Sequence, residues 1–318
     1  MGLVFAWPNE LERTHRGLAL TFVVPAQECN LKCSFCAIRQ RKEALTNSLR
    51  PGDYVEFLEQ VVAARPTTIV AIQGYEPLLE EAWPYTVAIF AAANRLGVRT
   101  SLVTNGIELH TKAAELAQLR PAGVTVSLDS FLAEEHDRVR GHSGAFEATT
   151  SGLRKFMRLK DEGTRVSVNS VVLPRRRRLL DDMPELLGSL GIGHWTVTPV
   201  LKIGRNGLGG PVEGTQTIIE NLQLLRNRAS AHNVEVALYD ELGQLATGGA
   251  DFGGLIIRVF DRLDGLVRLS PTGACSVGRE ILQEVGPSTP IWRPGEISPV
   301  DFLDRALAHW RGDIREAA

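Results

Sequence analysis

The chain has very few cysteines, four in 318 residues. It also has no run of about 18 uninterrupted apolar residues, so no membrane-spanning helix is expected. Its first stretch, MGLVFAWPNELERTHRG, lacks the basic start and apolar core of a secretory signal. Met1-Gly2 opens as a myristoylation site does, but the residues after it do not fit that pattern. An excess of one charge is missing too. Lys and Arg number 35 against 37 Asp and Glu, a net charge of −2, which gives no basic field for nucleic acid. There is no internal repeat and no low-complexity segment. The one charge run, Arg175 to Arg178, follows Pro174 and reads as a solvated face. A cytoplasmic chain with no membrane and no nucleic-acid partner is expected. In that compartment clustered cysteines bind metal or do chemistry more often than they form disulfides.

Apolar residues make up 44% of the chain and charged residues 23%, so a sizeable core is available. Buried strands are expected over 17–26, 67–74, 98–106, 123–130, 165–174 and 194–201. They are continuous apolar, β-branched runs, as strands covered on both faces should be. Helices are expected between them over 53–65, 79–96, 111–120, 144–162 and near 180–190, with a long one over 214–232. Asp53 is a candidate cap after the Pro51-Gly52 break. This alternation predicts a parallel sheet with helices outside. Right-handed crossovers would curl it into a partial (β/α)6 TIM-like barrel. The expected division is an N-terminal segment over 1–16, the barrel over 17–233, and a short α+β C-terminal extension over 234–318. In the extension VEVALY is one more strand, 254–271 is a hairpin around Asp264-Gly265, and 299–311 is a helix. Gly204 to Gly210, a Gly-rich stretch, is expected as a mobile loop over the barrel mouth.

Three of the four cysteines, Cys29, Cys33 and Cys36, fall within one loop after the first strand, spaced C-x3-C-x2-C. Three thiolates on one loop can hold three irons of a cubane and leave the fourth iron open to a cofactor or substrate. Zinc is the rival. A closed zinc site takes four ligands, and no second cysteine pair or nearby histidine is present, His15 lying upstream of the strand.

CNLKCSFC, with Phe35 before its last cysteine, resembles the signature loop of the radical SAM superfamily. GYEP, Gly74 to Pro77, resembles that family's GGEP, with Tyr75 in place of a glycine. LVTNG, and VSLDS followed by HDRVRG, resemble its third and fourth strand ends, so the likeness runs over about 17–232. It implies that Cys29, Cys33 and Cys36 ligate one [4Fe–4S] cluster whose open iron chelates S-adenosylmethionine. Cleavage of that cofactor would yield a 5′-deoxyadenosyl radical that takes hydrogen from a substrate. The resemblance also implies that Gly74 and Tyr75 receive the methionyl amine, with Glu76 shaping the turn. Ser127 and Arg140 would address the carboxylate or ribose, and Asn169 the ribose. Val200 and Leu201 would border the adenine. Thr104 and Asn105 belong to the TNG motif, which is also good turn chemistry.

Cys275 stands alone in LSPTGACSVGREI. The tail resembles a reduced SPASM or twitch extension without its additional cysteines, so a second cluster is not expected. A single thiol there resembles the hydrogen donor of radical SAM epimerases of sugar and aminoglycoside biosynthesis; the plain alternative is a small buried hydrophobe. Epimerisation of a sugar or aminoglycoside-like substrate is the expected reaction, and oxidation of a secondary alcohol is the alternative. Peptide modification is a third option, disfavoured by the few residues before the first strand, and a non-catalytic iron–sulfur scaffold is a fourth. Asp129, Asp240, Glu241 and Asp261 are candidate contacts for a cationic substrate. A one-electron reductant such as flavodoxin or ferredoxin is the implied protein partner.

Overall fold

The computed structural model describes residues 17–36, 48–172, 180–199, 201–204, 207–211, 215–240, 256–259, 265–277 and 289–316. Strands β1 (Leu18–Val24), β2 (Ile69–Gly74), β3 (Thr100–Thr104), β4 (Gly123–Ser127), β5 (Arg165–Val172) and β6 (His194–Pro199) lie side by side in chain order. All are parallel. Between them run α1 (Pro51–Ala64), α2 (Trp83–Arg95), α3 (Leu109–Gln118), α4 (Ala133–Arg140), α5 (Ala145–Leu159) and α6 (Met183–Ser189). Helix starts differ from expectation, most of all for α2, which begins at Trp83 rather than 79. Helix α1 begins at Pro51, which already has the φ a first helical residue needs. Asp53 therefore sits at the third position and accepts the Arg50 backbone N–H at 2.6 Å. Helix α4 was not expected at all, because AEEHDRVR shows no apolar periodicity.

The sheet does not stop at six strands. After α7 (Thr215–Ala231), β9 (Glu235–Asp240) pairs with β6, and β10 (Ile256–Val259) pairs with β9, both parallel. At the other side β11 (Gly265–Leu269) pairs in parallel with β1, and β12 (Cys275–Val277) pairs antiparallel with β11. The order is β10-β9-β6-β5-β4-β3-β2-β1-β11-β12. The expected hairpin around Asp264-Gly265 is thus corrected: its two arms lie at opposite sides of the sheet. In a flat sheet eight strand spacings would put β10 about 38 Å from β11. The six residue steps from Val259 to Gly265 span at most about 22 Å. The sheet must therefore curl towards a barrel. The Gly-rich stretch is corrected as well. It contributes to an antiparallel pair, β7 (Leu201–Gly204) and β8 (Gly207–Pro211), that forms its own small sheet.

Register separates two faces. Leu20, Phe22, Val70, Ile72, Leu102, Val124 and Val126 alternate along adjacent strands and all belong to the apolar core under the helices. Phe22 meets Tyr54 and Phe57 of α1 edge-on, at ring separations of 5.4 and 6.2 Å. The residues between them in the register are small or hydroxylated, among them Thr21, Ala71, Ser101, Thr125 and Ser167, and they face the interior. Helix α8 (Pro299–Glu316) packs on α1 and β12 and closes the helical layer over the C-terminal strands.

Candidate functional site

The polar residues of interest gather where the parallel strands end. The cysteine loop leaves β1 and docks on the C-terminus of α4. Lys32 N–H donates to the Arg140 carbonyl at 2.9 Å, and Ser34 N–H to the Val139 carbonyl at 3.0 Å. These are helix-end carbonyls that would otherwise lack a partner. Gly141 then turns the chain with φ 65° and ψ 35°, and a Cβ there would stand 2.6 Å from the Lys32 carbonyl oxygen. The loop can lie this close only because that position has no side chain.

The second strand end is held by Glu76, which is 1% exposed. Its Oε1 accepts the Thr104 hydroxyl at 2.6 Å and Leu78 N–H at 3.1 Å, and its Oε2 accepts Asn105 N–H at 2.7 Å. Glu76 therefore ties the ends of β2 and β3 together. Burial pushes its carboxyl up to about 7 despite these three donors. Gly74 precedes it at φ 148°, where a Cβ would meet the Val24 carbonyl oxygen at 2.7 Å. Tyr75, the replacement in the GYEP turn, is half-buried.

Asn105 reaches across to the cysteine loop. Its Nδ2 donates to Asn30 Oδ1 at 2.7 Å and lies 3.7 Å from Cys29 Sγ, while its Oδ1 accepts Ile107 N–H at 2.9 Å. The TNG segment is thus both the expected turn and a contact to a thiol. Asn30, which sequence reasoning passed over, links onward to Glu108 at 3.5 Å.

On the other flank, Arg140 and Asp129 form a pair with side chains only 4% and 2% exposed. Nη2 donates to Oδ1 at 3.0 Å, and Nε lies 2.6 Å from Oδ2, a close ionic contact off the hydrogen-bond line. The remaining arm, Nη1, points to Cys33 Sγ at 3.7 Å, and the guanidinium lies 5.4 Å from the centre of the Phe35 ring. The neighbouring Asp129 carboxylate holds Arg140 firmly charged against its burial. Asp129 also accepts Val171 N–H at 2.9 Å. Asp129 is therefore not an open acid awaiting a cationic substrate, which corrects the expectation for it. His136 buttresses the same turn, its Nδ1 accepting Asp129 N–H at 3.1 Å. Burial pushes His136 down to about 4, so it is neutral.

Ser127, the last residue of β4, and Asn169, within β5, are register partners, both buried. Asn169 Oδ1 accepts the Thr198 hydroxyl at 2.8 Å. Phe35, Gly74, Glu76, Asn105, Ser127, Arg140 and Asn169 thus share one end of the sheet with the three cysteines. Leu201 opens β7 beyond the end of β6. Val200, Glu241, Asp261, His15 and the Arg175–Arg178 run lie outside the described residues, and of Asp240 only its place at the end of β9 is described.

Cys275 is not brought to this place. It is 1% exposed and pairs in register with Leu269, which pairs with Phe22. Register partners project to the same side of a sheet, so Cys275 shares the side on which Phe22 meets Tyr54 and Phe57. It belongs to the apolar core together with Trp292.

The donor set, three cysteines on one loop with no fourth cysteine or histidine beside them in the sequence, fits a four-iron cube. Among the described residues no three His, Cys, Asp or Glu side chains are gathered round one metal position. A closed zinc site takes four ligands, whereas a cube takes one thiolate per iron, which three cysteines on one loop can supply to three of its irons. Burial pushes Cys29 up to about 12 and raises Cys33, the latter partly offset by Arg140. Without iron these groups are protonated thiols, so metal binding must displace their protons.

A family model described as the radical SAM superfamily matches residues 23–185. The AdoMet-dependent heme synthase of Methanosarcina barkeri is 31% identical over 180 residues, 56% of this chain and 49% of that protein. The GTP 3′,8-cyclase of Mycobacterium marinum is 27% identical over 315 residues, 96% of this chain and 76% of that protein. The chain spans about half the length of the heme synthase relatives it matches. Among solved structures, anSMEcpe with bound AdoMet shares the fold at a TM-score of 0.68 and 15% identity, over 92% of this chain and 81% of that one. No described helix is long and apolar enough to cross a membrane.

Proposed function

The chain belongs to the radical SAM superfamily, and from that premise we propose that Cys29, Cys33 and Cys36 carry the [4Fe–4S] cluster of an enzyme that abstracts hydrogen from an organic substrate. The superfamily's cofactors are a [4Fe–4S] cluster and S-adenosylmethionine, whose reductive cleavage supplies a 5′-deoxyadenosyl radical. The observation that carries the reading is the convergence of the cysteine loop, the Gly74–Glu76 turn, Asn105, Ser127, Arg140 and Asn169 on one end of a parallel sheet. Chemistry in such barrels sits at that end.

Each residue has a task in this reading. Gly74 lets the β2 turn approach β1, and Tyr75 offers backbone beside it. Glu76 holds that turn rigid against β3. Ser127 and Asn169, side by side on β4 and β5, supply polar groups for the cofactor's carboxylate and ribose, and Leu201 opens β7 beyond the end of β6. Two of Arg140's nitrogens are engaged by Asp129, so most of the carboxylate contact falls to Ser127.

The fate of the substrate radical is a finer question. Epimerisation through Cys275 needs that thiol on the interior side of the sheet. Its register with Phe22 argues for the helical side, so we assign Cys275 to the core. The named relatives include a heme synthase and a GTP cyclase, and neither is a sugar epimerase. We therefore propose hydrogen abstraction without a Cys275 donor, from a substrate that reaches the strand ends.

The test is anaerobic. The protein is reconstituted with iron and sulfide, then given S-adenosylmethionine and dithionite. About four irons per chain and sustained 5′-deoxyadenosine formation, both lost in Cys33→Ala, support the reading. Iron without any cleavage under several reductants refutes it.

A further inference from the structure

Sequence reasoning gave Asp129 no part in the cofactor site, yet its side chain is almost wholly enclosed beside it. Its carboxylate engages two nitrogens of Arg140, and the third nitrogen of that guanidinium points to Cys33 Sγ. Phe35 covers the same guanidinium from the cysteine loop. Asp129 is itself fixed by Val171 N–H, and its backbone is fixed by His136. The result is a rigid line of three groups: an anion, a cation and a cluster thiol. Water screens the Asp129–Arg140 pair little, because both side chains are almost wholly enclosed.

We propose that Asp129 is a positioning residue that holds Arg140 against Cys33, and that the pair together sets how readily the cluster accepts its electron. The inference rests on the cluster assignment above. The step concerned is the transfer of one electron from an external one-electron donor to the cluster, with no bond made or broken and no proton moved. An added electron next to Cys33 is stabilised by the Arg140 cation and opposed by the Asp129 carboxylate. Arg140 is nearer, touching the thiol directly, so it acts more strongly. Asp129 moderates that pull and fixes its direction. Arg140 alone would draw the cluster towards easy reduction, leaving it a weaker electron donor for cleaving the cofactor.

The signs of the two effects differ, and a merely structural role would not produce that. The experiment is an EPR-monitored redox titration of the reconstituted full chain and of Asp129→Asn, Arg140→Gln and the double variant, with iron measured in each. Asp129→Asn should raise the midpoint potential and Arg140→Gln should lower it, at unchanged iron content. The double variant should lie between the two singles. Asp129→Asn leaves a buried cation unpaired, so it is the variant most exposed to misfolding. If it does not fold, the comparison of Arg140→Gln with the double variant reads the same sign, because removing Asp129 should still raise the potential. Equal potentials across the set, or shifts of the same sign in both singles, overturn the proposal. Failure of the parent chain to hold about four irons would instead refute the cluster assignment itself.

Discussion

Gly141→Ala is a sharp perturbation, because one methyl group acts on two levels. The backbone there is left-handed, φ 65° and ψ 35°, which costs an alanine about 1–2 kcal/mol. The new Cβ would also stand 2.6 Å from Lys32 O and 3.0 Å from both its carbonyl carbon and its Cβ. These are backbone and near-backbone atoms that cannot rotate aside. The cysteine loop must lift, and the bonds from Lys32 and Ser34 to the Arg140 and Val139 carbonyls go with it, at about 1 kcal/mol each. The sum, about 3–4 kcal/mol, falls below the roughly 5–15 kcal/mol stability of ordinary domains. The variant should therefore fold, with its loop detached from α4. Gly144→Ala is the matched control. It is also left-handed, at φ 82°, but nothing lies within 4 Å of its Cβ position, so only the backbone cost applies. Chemical denaturation should show Gly141→Ala losing about 2 kcal/mol more than Gly144→Ala. Reconstitution should show it binding clearly less iron. Equal stability losses and equal iron in the two variants would refute the docking argument.

Gly74→Ala, driven against Val24 O, should weaken S-adenosylmethionine binding in calorimetry while leaving far-UV circular dichroism unchanged. Cys275→Ala should cost about 1–2 kcal/mol in a denaturation curve through lost core packing. It should leave 5′-deoxyadenosine formation intact, and loss of turnover with unaltered stability would restore the thiol-donor reading. Glu76 is an acid whose folded pKa is raised from 4.5 to about 7, so the folded state binds the extra proton. Its contribution is complete below pH 4.5 and is lost as pH rises through 7, by about 3 kcal/mol, and Glu76→Gln should flatten that slope. His136 acts oppositely. Its folded pKa is lowered from 6.5 to about 4, so its contribution is present above pH 6.5 and lost as pH falls towards 4. His136→Asn should remove that acid-side loss in urea titrations taken across the range.

The barrel strands were legible because strands covered on both faces are written as unbroken apolar runs, and β1 to β6 are such runs. The cysteine spacing, GYEP and TNG were legible because close approach and turn formation restrict residue type. Helix α4 was not, since a helix with a polar surface and one buried face only eight residues long carries little periodicity. The partnership of Asp129 with Arg140 was hidden for a related reason: eleven positions separate them, and their meeting depends on where α4 lies. The tail was least legible. Two apolar runs joined by Asp264-Gly265 suggest a hairpin locally, but sheet edges far away claim each run separately. Cys275 followed that error, for its facing side is decided only by the pairing of β12 with β11 and of β11 with β1.

The pairing of Leu18 with Gly265 has a consequence for biosynthesis. Strand β1, which launches the cysteine loop, is flanked by β2 on one side and by β11 on the other. Leu49, just past the loop, also donates to the Pro271 carbonyl at 2.8 Å. The ribosome makes β1 first and supplies its second neighbour only about 12–50 s later, at roughly 5–20 residues per second. Throughout that interval β1 has an open edge and its three thiols lack their final anchorage. On the proposed cluster assignment, iron–sulfur loading into a settled site would wait until the far end of the sheet has emerged, and a nascent chain stalled before β11 would present a bare strand edge beside the cysteine loop.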